Sequence, residues 1–93
     1  MIFEWDEPKS NACFKFRGFD FAYVVQAFLD PYRVVTSDQR YNYGEDRFEL
    51  LGQIDSRIYV VIYTPRAKAI RIISARKANL REIKRYENSS YDN

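Results

Sequence analysis

Histidine is absent from this chain of 93 residues, and cysteine occurs once, as Cys13. A Ser-His or Cys-His nucleophile pair therefore cannot be assembled. A zinc or iron site built from the usual ligand types is not expected. A single thiol leaves no internal disulfide. The three glycines, at 18, 44 and 52, are too scattered for a glycine-rich phosphate loop. A carboxylate-held Mg²⁺ would rest on Glu45-Asp46 alone, which is weak support, so no metal or cofactor is expected. No N-terminal apolar run has the form of a signal peptide and no stretch is long enough to span a bilayer. The expectation is a soluble, cytoplasmic protein.

What remains is rich in apolar side chains and in charge. Hydrophobic residues make up 46% of the chain and aromatics 17%, enough for a packed core and against disorder. The length suits one domain, with residues 1–88 folded and 89–93 a polar, frayed tail. The net charge of +2 hides an asymmetry. Residues 1–49 carry six Lys/Arg against nine Asp/Glu. Residues 66–85 carry eight cations (Arg66, Lys68, Arg71, Arg76, Lys77, Arg81, Lys84, Arg85) against Glu82 alone. Such a split suggests an anionic partner for the second half and a cationic one for the first; a solvated basic helix is the plainer alternative.

The pattern along the chain is mixed. Ile2–Trp5 reads as a short strand. Asp6 caps a helix with Glu7 and Pro8 in its first turn, Trp5, Cys13 and Phe16 on one face, and Gly18 as its stop. Phe21, Val24, Val25 and Phe28 fall at i, i+3, i+4 and i+7, a second helix capped by Asp20, with Phe19 stapled to Val24 and Asp30-Pro31 at its end. YRVVTS, RFELLGQI, RIYVVIYT and AIRIISA read as strands, the last three joined by short loops and hence antiparallel. RIYVVIYT is apolar on both faces and belongs in the sheet centre. Asn79-x-x-Glu82 is a capping-box variant that starts a last helix at Leu80, with Leu80, Ile83 and Tyr86 toward the sheet. The expected architecture is α+β: one antiparallel sheet of about four strands, two N-terminal helices and one C-terminal helix.

The stretch RIISARKANLREIKRYE (71–87) places Arg76 and Lys77 where a strand ends and a helix begins. Guanidinium forks and an ammonium there suit a polyanion, and phosphate contacts supply affinity without sequence preference. Trp5, Tyr41, Tyr43, Tyr59, Tyr63 and Tyr86 are interleaved with the charge and could stack unpaired bases, although Tyr59 and Tyr63 share a strand face that suits the core equally. RNA cleavage needs no metal or histidine in principle, because the 2′-hydroxyl can attack its own phosphate given a base, an acid and charge stabilisation. Arginine is effectively always protonated, so the protons would fall to Glu45, Lys77, Lys9 or a tyrosine.

Taken in order, EWD (4–6) with Lys9, then Gly18 and Phe21, GEDRFELLG (44–52), IRIISARKA (70–78) and REIKRYE (81–87) resemble the BrnT toxins over residues 3 to 87. The resemblance implies a RelE-like fold, metal-independent RNA cleavage that arrests translation, and neutralisation by a BrnA-like antitoxin that supplies the operator DNA contact of the complex. Carried over by position, Arg76 and Arg66 stabilise transition-state charge and Glu45 is a base. Glu45 reads equally as a salt bridge to Arg47 or Arg76. Lys9, Arg47, Lys77, Trp5 and Tyr86 contact RNA, and Arg17, at a position that departs from the family pattern, could still bind phosphate. The chain departs from the family pattern where Cys13 replaces Asn, where Phe16-Arg17-Gly18 replaces Lys-His-Gly, and where Arg40, Tyr41 and Asn42 stand in a loop that commonly holds a histidine. A catalytically silent RNA- or protein-binding subunit of a repressor complex is the second reading. Both readings expect Arg66 and Arg76 to converge at one lip of the sheet. A basic antitoxin segment is expected to dock partly on the acidic N-terminal half, while a second part covers the cationic groove.

Overall fold

The computed structural model describes residues 1–40 and 42–91. Along the chain run β1 (Ile2–Trp5), α1 (Glu7–Arg17), α2 (Phe21–Val24) continued by a 3₁₀ segment (Val25–Leu29), β2 (Val34–Ser37), β3 (Phe48–Ile54), β4 (Arg57–Arg66), β5 (Ala69–Lys77) and α3 (Leu80–Tyr91). The polar tail expected from residue 89 is part of α3 as far as Tyr91; residues 92 and 93 lie outside the described residues, as does Tyr41.

The local signals act as their chemistry dictates. Asp6 accepts the Lys9 N–H through Oδ2 at 3.3 Å, and Gly18 closes α1 at φ 86°, where a Cβ would be strained. Asp20 accepts the Tyr23 N–H at 2.9 Å and opens α2. The single helix expected over 21–28 is instead one α-turn that tightens into 3₁₀ geometry. Gly52 accounts for its position: a Cβ there would stand 2.6 Å from the Ala27 carbonyl oxygen, so only glycine lets the 3₁₀ segment lie on β3.

The sheet corrects the expected architecture. It has five strands in the order β1-β5-β4-β3-β2 and is mixed, not four-stranded and antiparallel. β1 lies parallel to β5, with Ile2 opposite Ala69 and Trp5 opposite Ile72. A parallel edge strand 64 or more residues away in sequence leaves no hairpin signal, so short-loop reasoning could not place it. The remaining pairs are antiparallel, and β4 is internal as its two apolar faces require. Between Ile62 and Tyr63 the register against β5 shifts by one, leaving Ile73 as the extra residue.

Two clusters fill the two faces. On one, α1, α2 and the 3₁₀ segment bury Cys13, Phe19, Phe21, Val24 and Ala27 against Leu50, Ile54, Tyr59, Val61, Ile72 and Ala75. On the other, Tyr86 of α3 packs with Leu51, Val60 and Ile62. Leu80, expected to face the sheet, is 75% exposed, and Phe16, expected on the buried side of α1, is 77% exposed. Asp30 ties the layers together: it accepts the Tyr32 N–H at 2.9 Å, the Gln53 N–H at 2.7 Å and the Tyr86 hydroxyl at 2.6 Å. No helix among the described residues is long and apolar enough to cross a membrane.

Candidate active site

The α3 side of the sheet carries a connected set of guanidinium and carboxylate groups. Arg76 stands on β5 opposite Val60 and meets Glu82 of α3 through two hydrogen bonds, Nη1 to Oε1 at 2.8 Å and Nη2 to Oε2 at 2.7 Å. Glu82 Oε1 also accepts the Asn79 N–H at 2.9 Å, while Asn79 Oδ1 accepts the Glu82 N–H at 2.9 Å. The expected capping box is thus formed, and its carboxylate is shared with the arginine. The hydrogen bonds from Arg76 hold the Glu82 carboxyl below its ordinary pKa despite burial, and Glu82 in turn raises that of Arg76. Glu49 and Arg40 also lie within electrostatic range of Arg76. Arg85 of α3 pairs with Glu49.

The loop between β2 and β3 extends this set. Asp38, 8% exposed, holds the Arg40 guanidinium through Oδ1 and Oδ2 at 3.0 and 3.2 Å, and these bonds lower its carboxyl pKa. Arg47 lies flat over the Tyr43 ring, 3.8 Å from its centroid, with Nε 3.4 Å from Glu45 Oε2. The other Glu45 oxygen takes Arg66 Nη2 at 3.2 Å. Asp38, Arg40, Tyr43, Glu45 and Arg47 line one cleft of about 330 Å³.

The expected site residues fall in separate places. Glu45, Arg47 and Arg66 are brought together, and Glu45 pairs with Arg47 and Arg66, not Arg76. Arg66 and Arg76 do not converge: Arg66 pairs with Ala69 at the β4–β5 turn and Arg76 with Val60 near the far end. Seven positions along a strand amount to roughly 23 Å. Lys9, Arg17 and Lys77 lie around α1, on the opposite side of the sheet from α3. Side chains alternate along a strand, which sends Lys77 to the face opposite Arg76. Trp5 is packed half-buried against the α1-side core, and Tyr86 is 6% exposed, its hydroxyl held by Asp30 and its pKa raised by burial and that bond. Tyr86 therefore offers no open face to a base.

Arg40, Glu49 and Glu82 were not singled out by the sequence as members of one site. Glu82 announced itself only as a cap, and Arg40 only as a residue standing in a loop where related chains hold histidine. Among the described residues no three or more His, Cys, Asp and Glu side chains converge to hold a metal ion.

Chemically, the face offers several guanidiniums aimed at one surface. A bidentate carboxylate occupies two of the five N–H donors of an arginine, leaving the others for phosphate. No curated protein matches the chain. Residues 5–82, most of its length, match the family described as the ribonuclease toxin BrnT of type II toxin–antitoxin systems. With that match over most of its length, the chain belongs to the BrnT family of ribonuclease toxins.

Proposed function

We propose that this toxin cleaves single-stranded RNA laid across the α3 side of the sheet, and that cleavage arrests translation in the cytoplasm. The observation that carries the reading is the run of guanidiniums along one face: Arg66, Arg47 over Tyr43, Arg40, and Arg76 gripped by Glu82. Arg66 and Arg76 stand too far apart to serve one phosphate. They contact different phosphates of one strand, with Arg76 toward one end and Arg66 at the other, and Arg40 in the cleft that also holds Glu45 and Arg47. At the reacting phosphate the 2′-oxygen bonds to phosphorus as the P–O5′ bond breaks. Glu45 takes the 2′ proton, the 5′-oxygen is protonated in turn, and the arginines stabilise the extra negative charge of the phosphorane. No metal is required by this chemistry. A BrnA-like antitoxin neutralises the toxin and supplies the DNA contact of the complex.

A second reading has one observation in its favour. Arg40, Arg47, Arg66 and Arg76 each already face a carboxylate. A chain so neutralised, and without histidine, would serve as a silent subunit of an operator-binding complex. Incubating the isolated chain with total RNA in chelator separates the two. Strand scission by the wild type, reduced about 100-fold or more in Arg66→Ala by the loss of the charge-stabilising donor group beside Glu45, supports the enzyme. Intact RNA with the wild type overturns it.

A further inference from the structure

The acidic first half of the chain is largely consumed by its own fold. Of the nine carboxylates in residues 1–49, seven are engaged. Asp6 and Asp20 cap helices, Asp30 joins three segments, and Glu4, Asp38, Glu45 and Glu49 pair with arginines. Little negative charge remains to attract a basic segment. The opposite holds around α1, where Lys9, Lys15, Arg17 and Lys77 enter no ion pair among the described residues.

These cations frame two clefts that share Arg17. One, about 310 Å³, is walled by Lys9, Ala12, Phe16, Phe21 and Ile73, and has Cys13 and Ala75 in its floor. The other, about 420 Å³, runs between Phe14, Arg17, Tyr23, Tyr59 and Lys77, with Asp20 at its edge. Asp20 is occupied as the α2 cap, so its charge is partly answered there. Phe14 and Phe16 are 61% and 77% exposed, on two sides of the same helix. Exposed apolar rings beside cations that enter no ion pair, with Lys15 Nζ 5.5 Å from the Phe16 ring centroid, are the features of a docking surface, where aromatic and arginine side chains anchor a partner.

We infer that the C-terminal half of α1, with the two clefts beside it, is where an acidic, apolar-anchored segment of the antitoxin docks. This rests on the chain's being a toxin with an antitoxin partner. The aliphatic and sulfur lining of the smaller cleft suits a Leu, Ile or Val side chain better than a sugar-phosphate. In the larger cleft Tyr59 is 6% exposed, with the rings of Phe19 and Tyr23 set edgewise against it at 5.1 and 5.8 Å, so it offers no open face to a base. The guanidinium run proposed to hold RNA lies across the sheet. A protein segment therefore fits here and RNA does not. The expected basic segment on the acidic half is replaced by an acidic one on α1.

The test uses the full-length toxin and its cognate antitoxin. Phe16→Glu and Arg17→Glu change exposed side chains. Each is expected to weaken antitoxin binding at least 10-fold by calorimetry, and wild-type affinity is expected to fall as salt rises. Hydrogen exchange of the 9–20 segment should slow in the wild-type complex and not with a single-stranded oligouridylate. Unchanged affinity in both variants, or protection of 9–20 by the RNA instead of the antitoxin, overturns the inference. Phe16→Glu also distinguishes this failure from that of the ribonuclease reading, because it should cleave RNA as the wild type does while escaping the antitoxin. If the wild type cleaves no RNA, the binding measurements still decide where the antitoxin sits.

Discussion

Glu82 and Arg76 lie fork to fork, joined by hydrogen bonds of 2.8 and 2.7 Å, and the same carboxylate receives the backbone N–H that starts α3. One side chain therefore fixes both the helix and the arginine. Glu82→Gln keeps the shape and can still cap, but it loses the charge that faces Arg76. Arg76 is 41% exposed, so solvent screens part of the pair, and the expected loss is about 1–2 kcal/mol. The pH dependence follows from the lowered carboxyl pKa of Glu82. Its stabilisation is fully present above the ordinary value of 4.5 and is lost as pH falls through the lower folded-state value. Melting temperatures of wild type and Glu82→Gln should differ near pH 7 and draw together below pH 4.5. A gap that stays constant as pH falls progressively below 4.5 would show that the charge is not what matters.

Asp30 presents a different case, a buried carboxylate that receives three donors from three segments. Asp30→Asn puts an amide where Oδ2 meets both the Gln53 N–H and the Tyr86 hydroxyl, leaving at least one buried donor unanswered. The expected cost is about 2–4 kcal/mol in urea unfolding, with an unchanged slope. Tyr86→Phe removes one bond and leaves the others, so about 1–2 kcal/mol is expected. Equal losses in the two variants would mean that Tyr86 alone carries the effect. If Tyr86 served RNA instead, Tyr86→Phe would change binding and leave stability intact.

How much of this was legible follows from the range of each interaction. Asp6, Gly18, Asp20, Asn79 and Glu82 act on neighbours three or four positions away, and sequence spacing places them correctly. The short gaps read at Asp55-Ser56 and at Pro65-Arg66-Ala67-Lys68 likewise disclose the antiparallel core of the sheet, although β4 runs on to Arg66. β1 is harder, because its partner is at the other end of the chain and a parallel pair needs no short loop. The site suffers the same limit. The cationic stretch after IRIIS announces that charge is concentrated there, but strand alternation sends Arg76 and Lys77 to opposite faces. The pair of Glu45 with Arg47 is legible two positions away, but Arg66 as its second partner and Arg85 as the partner of Glu49 stand 21 and 36 positions distant, beyond any local pattern. Phe16 and Leu80 misled for a related reason: spacing identifies a helix face but not whether anything covers it.

Arg40 tests whether the site extends into the loop before β3. Its guanidinium is anchored by Asp38, exposed over 64% of its side chain, and within electrostatic reach of Arg76. An exposed cation of this kind adds little to folding, so Arg40→Ala should change stability by no more than about 0.5 kcal/mol. Its contribution to RNA would be larger, because it adds a guanidinium to the cleft that holds Glu45 on the proposed phosphate path. Cleavage by Arg40→Ala is expected to fall roughly 10-fold or more in kcat/KM, and Arg40→Lys should recover only part of it, since an ammonium keeps the charge and loses the planar fork. Asp38→Asn should act in the same direction by releasing the guanidinium, without touching RNA itself. If Arg40→Ala cleaved RNA at the wild-type rate, Arg40 would stand off the phosphate path, which would then run past Glu45 and Arg66 without the loop before β3.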